Sequence, residues 1–440
     1  MPRELSATDA AALFNPKDSM GFGLGASQPP ELLTALGARD DWTDLTISGA
    51  LLTVFSELFK HPGVLFKSGF LGPVERFLRD EGARIEFIPA DFRRFAPLLA
   101  AEAPRVMSVV TAPPDENGWC SLSLHAGGTV GELHAAGADP DRLLIVETSE
   151  RYPRTYGLEP GYPHALHLDQ IDVLIAGAGE PIPLPVESPS ETDRAIAGHA
   201  DDYIPDGATL QTGIGSVPLA IAEHLANGPG GDYGIHSEMF TDGIMQLHKA
   251  GKVSNNKGFH DGVSIATFAL GSRDLYDWLH ENREIAFLPV EYVNDPHVMA
   301  RNRNLVTING ALAVDIHGQV VADTRDGRQF SGIGGAEDFV SGPAYAPEGH
   351  SLLCMHATAT VNGELVSRIV PQHPPGAVIT TPRHQIDIVV TEFGAVELEG
   401  LSVRERGQAL ATIAHPDFRD AISGAADAYG SDGSTAPQIG

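Results

Sequence analysis

Residues 234–243 read Gly-Ile-His-Ser-Glu-Met-Phe-Thr-Asp-Gly, and they place one acidic side chain, Glu238, where chemistry is plausible. The apolar residues from Ile235 to Phe240 predict a strand tip. Thr241-Asp242-Gly243 then predicts a cap, and Ile244, Leu247 and the stop at Gly251 predict a brief helix. Glu238 is thereby expected at the mouth of a sheet, between a strand end and a helix N-terminus, where ligands bind in open α/β sheets. Such a carboxylate is either a solvated rim charge or a nucleophile able to form a covalent intermediate. His236, two residues away, alternates to the other strand face and is read as structural rather than as a proton shuttle.

Two glycine-rich runs flank Glu238 in the chain, Gly213-Ile214-Gly215-Ser216-Val217-Pro218 and Gly332-Ile333-Gly334-Gly335-Ala336-Glu337-Asp338-Phe339. Glycine loops allow a backbone to approach a ligand closely, and their N–H groups can hold an oxyanion. Other chemistries lack their signatures. The chain has no G-x-S-x-G elbow, no P-loop and no H-E-x-x-H. The run IDVLIAGAG at 171–179 lacks a third dinucleotide-binding glycine and is followed by prolines where a helix should start. The two cysteines, Cys120 and Cys354, form no metal-binding cluster and argue for a reducing compartment.

The elements that must position these residues alternate between helix and strand patterns, which is the α/β signature. A chain of 440 residues exceeds what one core supports, so two domains are expected. The proline-rich stretch 180–189 is the natural linker. It separates an N-terminal α/β domain at 1–185 from a C-terminal α/β domain at 190–422 carrying Glu238, with a flexible Gly/Ser/Ala/Asp tail at 423–440. The loop at Gly23-Leu24-Gly25-Ala26, followed by a Leu/Ala-rich helix, parallels the loop at 213–218, consistent with two similar halves.

Composition narrows the partners. With 58 acidic against 29 basic residues the net charge is −29, which disfavours nucleic acid and anionic membranes. No run of 18 apolar residues and no leader pattern occurs, so a cytoplasmic enzyme is expected. An anionic ligand would need helix N-termini or a local basic patch.

The run GIHSEMFTDG resembles the glutamate motif of the acetyl-CoA hydrolase/CoA-transferase family, which includes 4-hydroxybutyrate CoA-transferases. The runs LQTGIGSVP, SIATFALGSRDLYDWL, PVEYVNDP, GIGGAEDF, SRIVP, VVTEFGAVELEG and IAHPDFRD extend the resemblance, in order, across most of the chain. It implies an α/β fold of two similar open α/β domains with the active site in the cleft between them. It implies that Glu238 forms a γ-glutamyl-CoA thioester, moving CoA from an acyl-CoA to a short-chain carboxylate such as acetate, propionate, butyrate or 4-hydroxybutyrate. The alternatives are an acetyl-CoA hydrolase on the same site or a non-catalytic acyl-CoA-binding protein. Carried over, Gly213, Ile214, Gly215, Ser216 and Val217 line the coenzyme A site, and Asn294, Leu312 and Gly335 add contacts. The N–H groups of Ile214 and Gly335 hold the oxyanion, and Glu392 is either near the acceptor or structural. The resemblance implies no permanently bound cofactor, no metal, and a homodimer or higher homo-oligomer. It departs at Ala336, where Gln is expected, and at Val321, where Asn is expected; both are expected near the cleft.

Overall fold

The runs Val106–Thr111 and Leu143–Thr148 are mostly apolar and buried, and their apolar side chains alternate between two cores. Val106 and Ile145 pack with Leu32, Leu33 and Leu36, whereas Met107, Val109, Leu144 and Val146 pack with Leu133. Strands buried on both faces belong to a parallel sheet covered by helices. The computed structural model describes residues 1–429 apart from Ala126, Asp326 and Pro347, and it shows this sheet to have eight strands, all parallel. Their order is Arg3–Glu4, Val173–Ala176, Leu143–Thr148, Val106–Thr111, Lys17–Phe22, Asp44–Gly49, Val64–Ser68 and Ile85–Phe87.

A second sheet has six strands, in the order Gly234–Ile235, Thr209–Thr212, Leu305–Gly310, His350–Cys354, Ile388–Thr391 and Gly394–Glu397. All are parallel except the last, which closes the edge as a hairpin. Val306, Leu352 and Ile388 face one core, and Leu353 and Val389 face the other. The expected α/β architecture of two open sheets is therefore what the chain adopts. The glycine loops correspond in plan: one follows Lys17–Phe22 and leads to helix Pro30–Gly37, the other follows Thr209–Thr212 and leads to helix Ser216–Asn227. No helix among the described residues is long and apolar enough to cross a membrane.

Several expected elements differ. The strand expected over 235–240 is broken into Gly234–Ile235 and Met239–Phe240. The Ser237 hydroxyl bonds the Met239 carbonyl at 2.8 Å, a local side-chain bond that competes with a continuous ladder. Residues 289–296, whose Val290, Tyr292 and Val293 before Asn294-Asp295-Pro296 predict a strand and turn, form the short helices Val290–Val293 and Pro296–Met299. Val290 and Val293 are buried three residues apart, a spacing too short to separate helix from strand by pattern. The helix Arg419–Ala428 continues past residue 423, where the tail was expected to begin, because Ile422 and Ala426 are buried one turn apart. The remainder of that tail, 430–440, lies outside the described residues.

Candidate active site

Glu238 is reached from both sides by backbone. Its carbonyl accepts from Thr267 N–H at 2.9 Å and Phe268 N–H at 3.3 Å, and the helix Asp242–Lys249 starts four residues on, with Thr241 at its N-cap position but making no side-chain capping bond. The main chain is thus fixed, and the half-buried carboxylate points into a cavity of about 440 Å³. The cavity walls come from the carboxyl ends of strands in both sheets. Leu24, Ala50, Leu51, Gly69 and Phe70 come from the first sheet, and Gln211, Thr212, Gly213, Ile214 and Asn309 from the second. This is the position at which open α/β sheets hold ligands.

Behind the carboxylate stands a chain of polar groups. Asn294 Nδ2 donates to Glu238 Oε2 at 2.7 Å and to Asp338 Oδ2 at 3.1 Å. Asp338 is in turn bonded by Arg93 Nε at 2.6 Å. Arg93 lies on helix Phe92–Glu102 of the N-terminal half, so this ion pair ties the two halves together next to the glutamate. Burial pushes the Glu238 carboxyl up to about 8; the Asn294 bond opposes the shift and the Asp338 charge adds to it. Burial likewise holds Asp338 up at about 6, against the Asn294 bond and the Arg93 charge.

Gly335 closes this arrangement from the other side. A Cβ there would lie 1.7 Å from Glu238 Oε2 and 2.6 Å from Asn294 Nδ2, so no side chain fits. The neighbouring Gly334 carbonyl accepts from Phe92 N–H at 2.9 Å, which fixes the loop against the N-terminal half.

The loop at 213–218 lines a second cavity of about 320 Å³ together with His356 and Arg368. Gly213, Ile214, Asn309 and Gly310 border both cavities, so the two adjoin around these residues. Gly215 has φ +119° and ψ 169°, a conformation open essentially to glycine alone. It delivers the chain into the N-terminus of helix Ser216–Asn227. Ser216 Oγ and His356 Nε2 both bond Asp193 Oδ1, at 3.1 and 2.7 Å.

Of the residues singled out from the sequence, Glu238, Gly213, Ile214 and Gly335 meet on the first cavity, and Gly213, Ile214, Gly215, Ser216 and Val217 on the second. Asn294 does not reach either wall. It is fully buried, and its amide donates to the Glu238 carboxylate. Leu312 is also absent from both walls; its carbonyl accepts from Arg368 Nε at 2.9 Å and its N–H bonds Val321 O. Ala336 lines the first cavity, whereas Val321 lines neither. Glu392 accepts from Ala357 N–H at 2.9 Å and so holds the chain beside His356. His236 is buried on the Val293 carbonyl at 2.8 Å, with burial pushing its imidazole down to about 4, as a structural residue should be. Sequence reasoning missed Arg93, Asp338 and the walls from the N-terminal half. Asp338 stands in the quoted GIGGAEDF run, but nothing local marked it as the partner of Asn294.

Among the described residues, no group of three or more His, Cys, Asp or Glu could hold a metal ion. A family model for the acetyl-CoA hydrolase/transferase C-terminal domain matches residues 271–426. The succinyl-CoA:cyclohexane-1-carboxylate CoA transferase of Geobacter metallireducens is 33% identical over 96% of this chain and 94% of its own length. The chain belongs to the acetyl-CoA hydrolase/transferase family. The 4-hydroxybutyrate coenzyme A transferase of Clostridium kluyveri is 36% identical over 72% of this chain and 71% of its own. The crystal structure of RipA from Yersinia pestis superposes with a TM-score of 0.88 at 31% identity, covering 97% of each chain. As a member of this family the protein is an enzyme acting on acyl-CoA, a CoA-transferase or acetyl-CoA hydrolase by kind.

Proposed function

We propose that the enzyme moves CoA from an acyl-CoA to a second carboxylate through a thioester on Glu238. The family resemblance suggests the short-chain class, from acetate to 4-hydroxybutyrate. The observation that supports this reading is the Glu238 carboxylate itself. It is anchored by Asn294, opens into a cavity, and is faced by a glycine that leaves no room for any other side chain.

A Glu238 oxygen attacks the acyl-CoA carbonyl, the C–S bond breaks, and CoA thiolate leaves a mixed anhydride. The thiolate then attacks the glutamyl carbonyl, releasing the first acid and leaving glutamyl-CoA. A second carboxylate attacks glutamyl-CoA to give a new anhydride and thiolate. Attack of that thiolate on the new acyl carbonyl yields the new acyl-CoA and free Glu238. No proton is consumed, because carboxylate and thiolate replace each other at every step.

Carboxylates are weak nucleophiles towards thioesters, so placement must supply much of the rate; oriented groups reach effective molarities on the order of 10⁵–10⁸ M. The N–H groups of Ile214 and Gly335, both on the cavity wall, are the proposed oxyanion donors, each worth about 10²–10³ in rate. The adjoining cavity is the proposed CoA channel. The helix N-terminus at Ser216 and the Arg368 guanidinium supply its positive potential in an otherwise acidic protein.

The test is incubation of the pure protein with acyl-CoA, proteolysis, and mass analysis of the Glu238 peptide. A gain of CoA less one water on that peptide is expected and should be lost in Glu238→Gln. Exchange of label between acyl-CoA and acid that persists in Glu238→Gln rules the assignment out. Thiol release without any acid acceptor identifies hydrolysis instead.

A further inference from the structure

The cavity in front of Glu238 has one wall that the exchange chemistry alone does not require. Phe268, whose N–H bonds the Glu238 carbonyl, stacks on His125 with ring centres 5.0 Å apart. Phe92 meets Phe268 edge-on at 5.9 Å, and Phe95 lies 6.5 Å beyond Phe92. Phe70 and Leu98 line the same cavity from the N-terminal half. An aromatic and aliphatic surface therefore runs from the carboxylate into the first domain. Gly69 lets the Phe95 ring pack close, since a Cβ there would meet that ring at 3.0 Å.

The charge on this wall has one sign. Among the described residues no lysine or arginine lines the cavity, while Asp91 and Glu238 both do. The nearby guanidinium of Arg93 is bound by Asp338 at 2.6 Å and Asp91 at 3.4 Å. A second carboxylate on the acid would be left without a counter-ion and would face Asp91. Burying such a charge unpaired is heavily unfavourable. Apolar carbon on the same wall gains from leaving water.

We propose that this surface is the acyl subsite and that it selects a bulky apolar monocarboxylate, branched, alicyclic or aryl, over acetate and over dicarboxylates. The proposal rests on the transferase reading above. The part of the acid beyond its carboxyl group lies against Phe92, Phe95 and Leu98, while CoA occupies the cavity bordered by Ser216 and Arg368. Each methylene that enters such a pocket discriminates by about 10-fold or more in kcat/KM.

The experiment uses the full-length enzyme with acetyl-CoA as donor. The acceptors are labelled acetate, succinate, 3-methylbutanoate, cyclohexanecarboxylate and benzoate, and new thioesters are read by mass. The expected result is kcat/KM for at least one bulky monocarboxylate about 10-fold or more above acetate, with succinate weakest. Rapid acetate or succinate exchange, with the bulky acids at or below it, overturns the subsite and leaves the transferase intact. No exchange with any acid, acetate included, overturns the transferase reading and the subsite with it. Leu98→Arg places a cation on the wall at a position already 39% exposed, so folding should survive and is checked by melting temperature. It should raise succinate use and depress the bulky acids. An unchanged ratio in that variant overturns the assignment of this wall.

Discussion

Gly335 lies directly against the Glu238 carboxylate: a methyl group on it would sit 1.7 Å from Oε2. Its φ of −90° is open to any residue, so Gly335→Ala introduces a clash and no backbone strain. The methyl must displace either the carboxylate or the Asn294 amide that anchors it. Acyl exchange is expected to fall by about 10²-fold or more, with the far-ultraviolet spectrum unchanged. A variant retaining wild-type exchange would show that the carboxylate does not need this position.

Glu238→Gln should trade activity for stability. The native carboxyl keeps its proton up to about 8, whereas the unfolded chain releases it near 4.5. Between those values the native state binds more protons than the unfolded state, so stability falls as pH rises. The glutamine carries no such burden. Its melting temperature should exceed that of the wild type at pH 8, and the gap should narrow towards pH 5. Equal gaps at both pH values would contradict the placement of this group in a poorly solvated site.

The same shift predicts a pH-dependent first step. In the proposed exchange only the ionised carboxylate attacks, so single-turnover formation of glutamyl-CoA should rise as pH passes through about 8. Asp338→Asn removes the negative charge behind Asn294 while keeping an oxygen for its amide. The rising limb should move to lower pH in that variant. A limb that stays in place would mean that Asp338 does not act on Glu238 through its charge.

Arg93→Ala tests the tie between the halves. It leaves Asp338 buried, bonded by the Asn294 amide at 3.1 Å and by the backbone N–H of residue 93 at 3.4 Å. Arg93 is 38% exposed, so the loss should be about 1–2 kcal/mol in denaturant unfolding, below that of a fully buried pair. Acyl exchange should also fall, because the Gly334–Gly335 loop loses a neighbouring anchor to the helix Phe92–Glu102.

Gly215→Ala addresses the CoA side. At φ +119° and ψ 169° a Cβ is strained by about 1–3 kcal/mol wherever it points. KM for acyl-CoA should rise several-fold with less change in kcat, read from initial rates. A selective loss of kcat would place the loop at the reacting carbonyl instead.

Much of this site could be read along the chain because its signals are local. The alternation of helix and strand patterns specified two α/β sheets, and the strand–glycine loop–helix units at 23–26 and 213–218 announced themselves by composition. Glu238 sat before a helix-start signal that depends only on neighbouring residues, and the helix began where expected, at Asp242. The positive φ at Gly215 is likewise a property of one residue type in one turn.

Tertiary structure decided what those residues face. Asn294 is 56 residues from Glu238, and Asp338 is 245 from Arg93; no local pattern records bonds over such separations. Packing therefore made Asn294 an anchor for the carboxylate and set Leu312 off both cavity walls. It also brought Phe92, Phe95 and Phe70 of one half against a glutamate of the other. The amino-acid sequence by itself determined most element types and singled out Glu238 as the proposed nucleophile, because these follow from propensity and side-chain chemistry. The basicity of that nucleophile and the apolar wall before it arise only when two sheets meet and exclude water from the space between their strand ends.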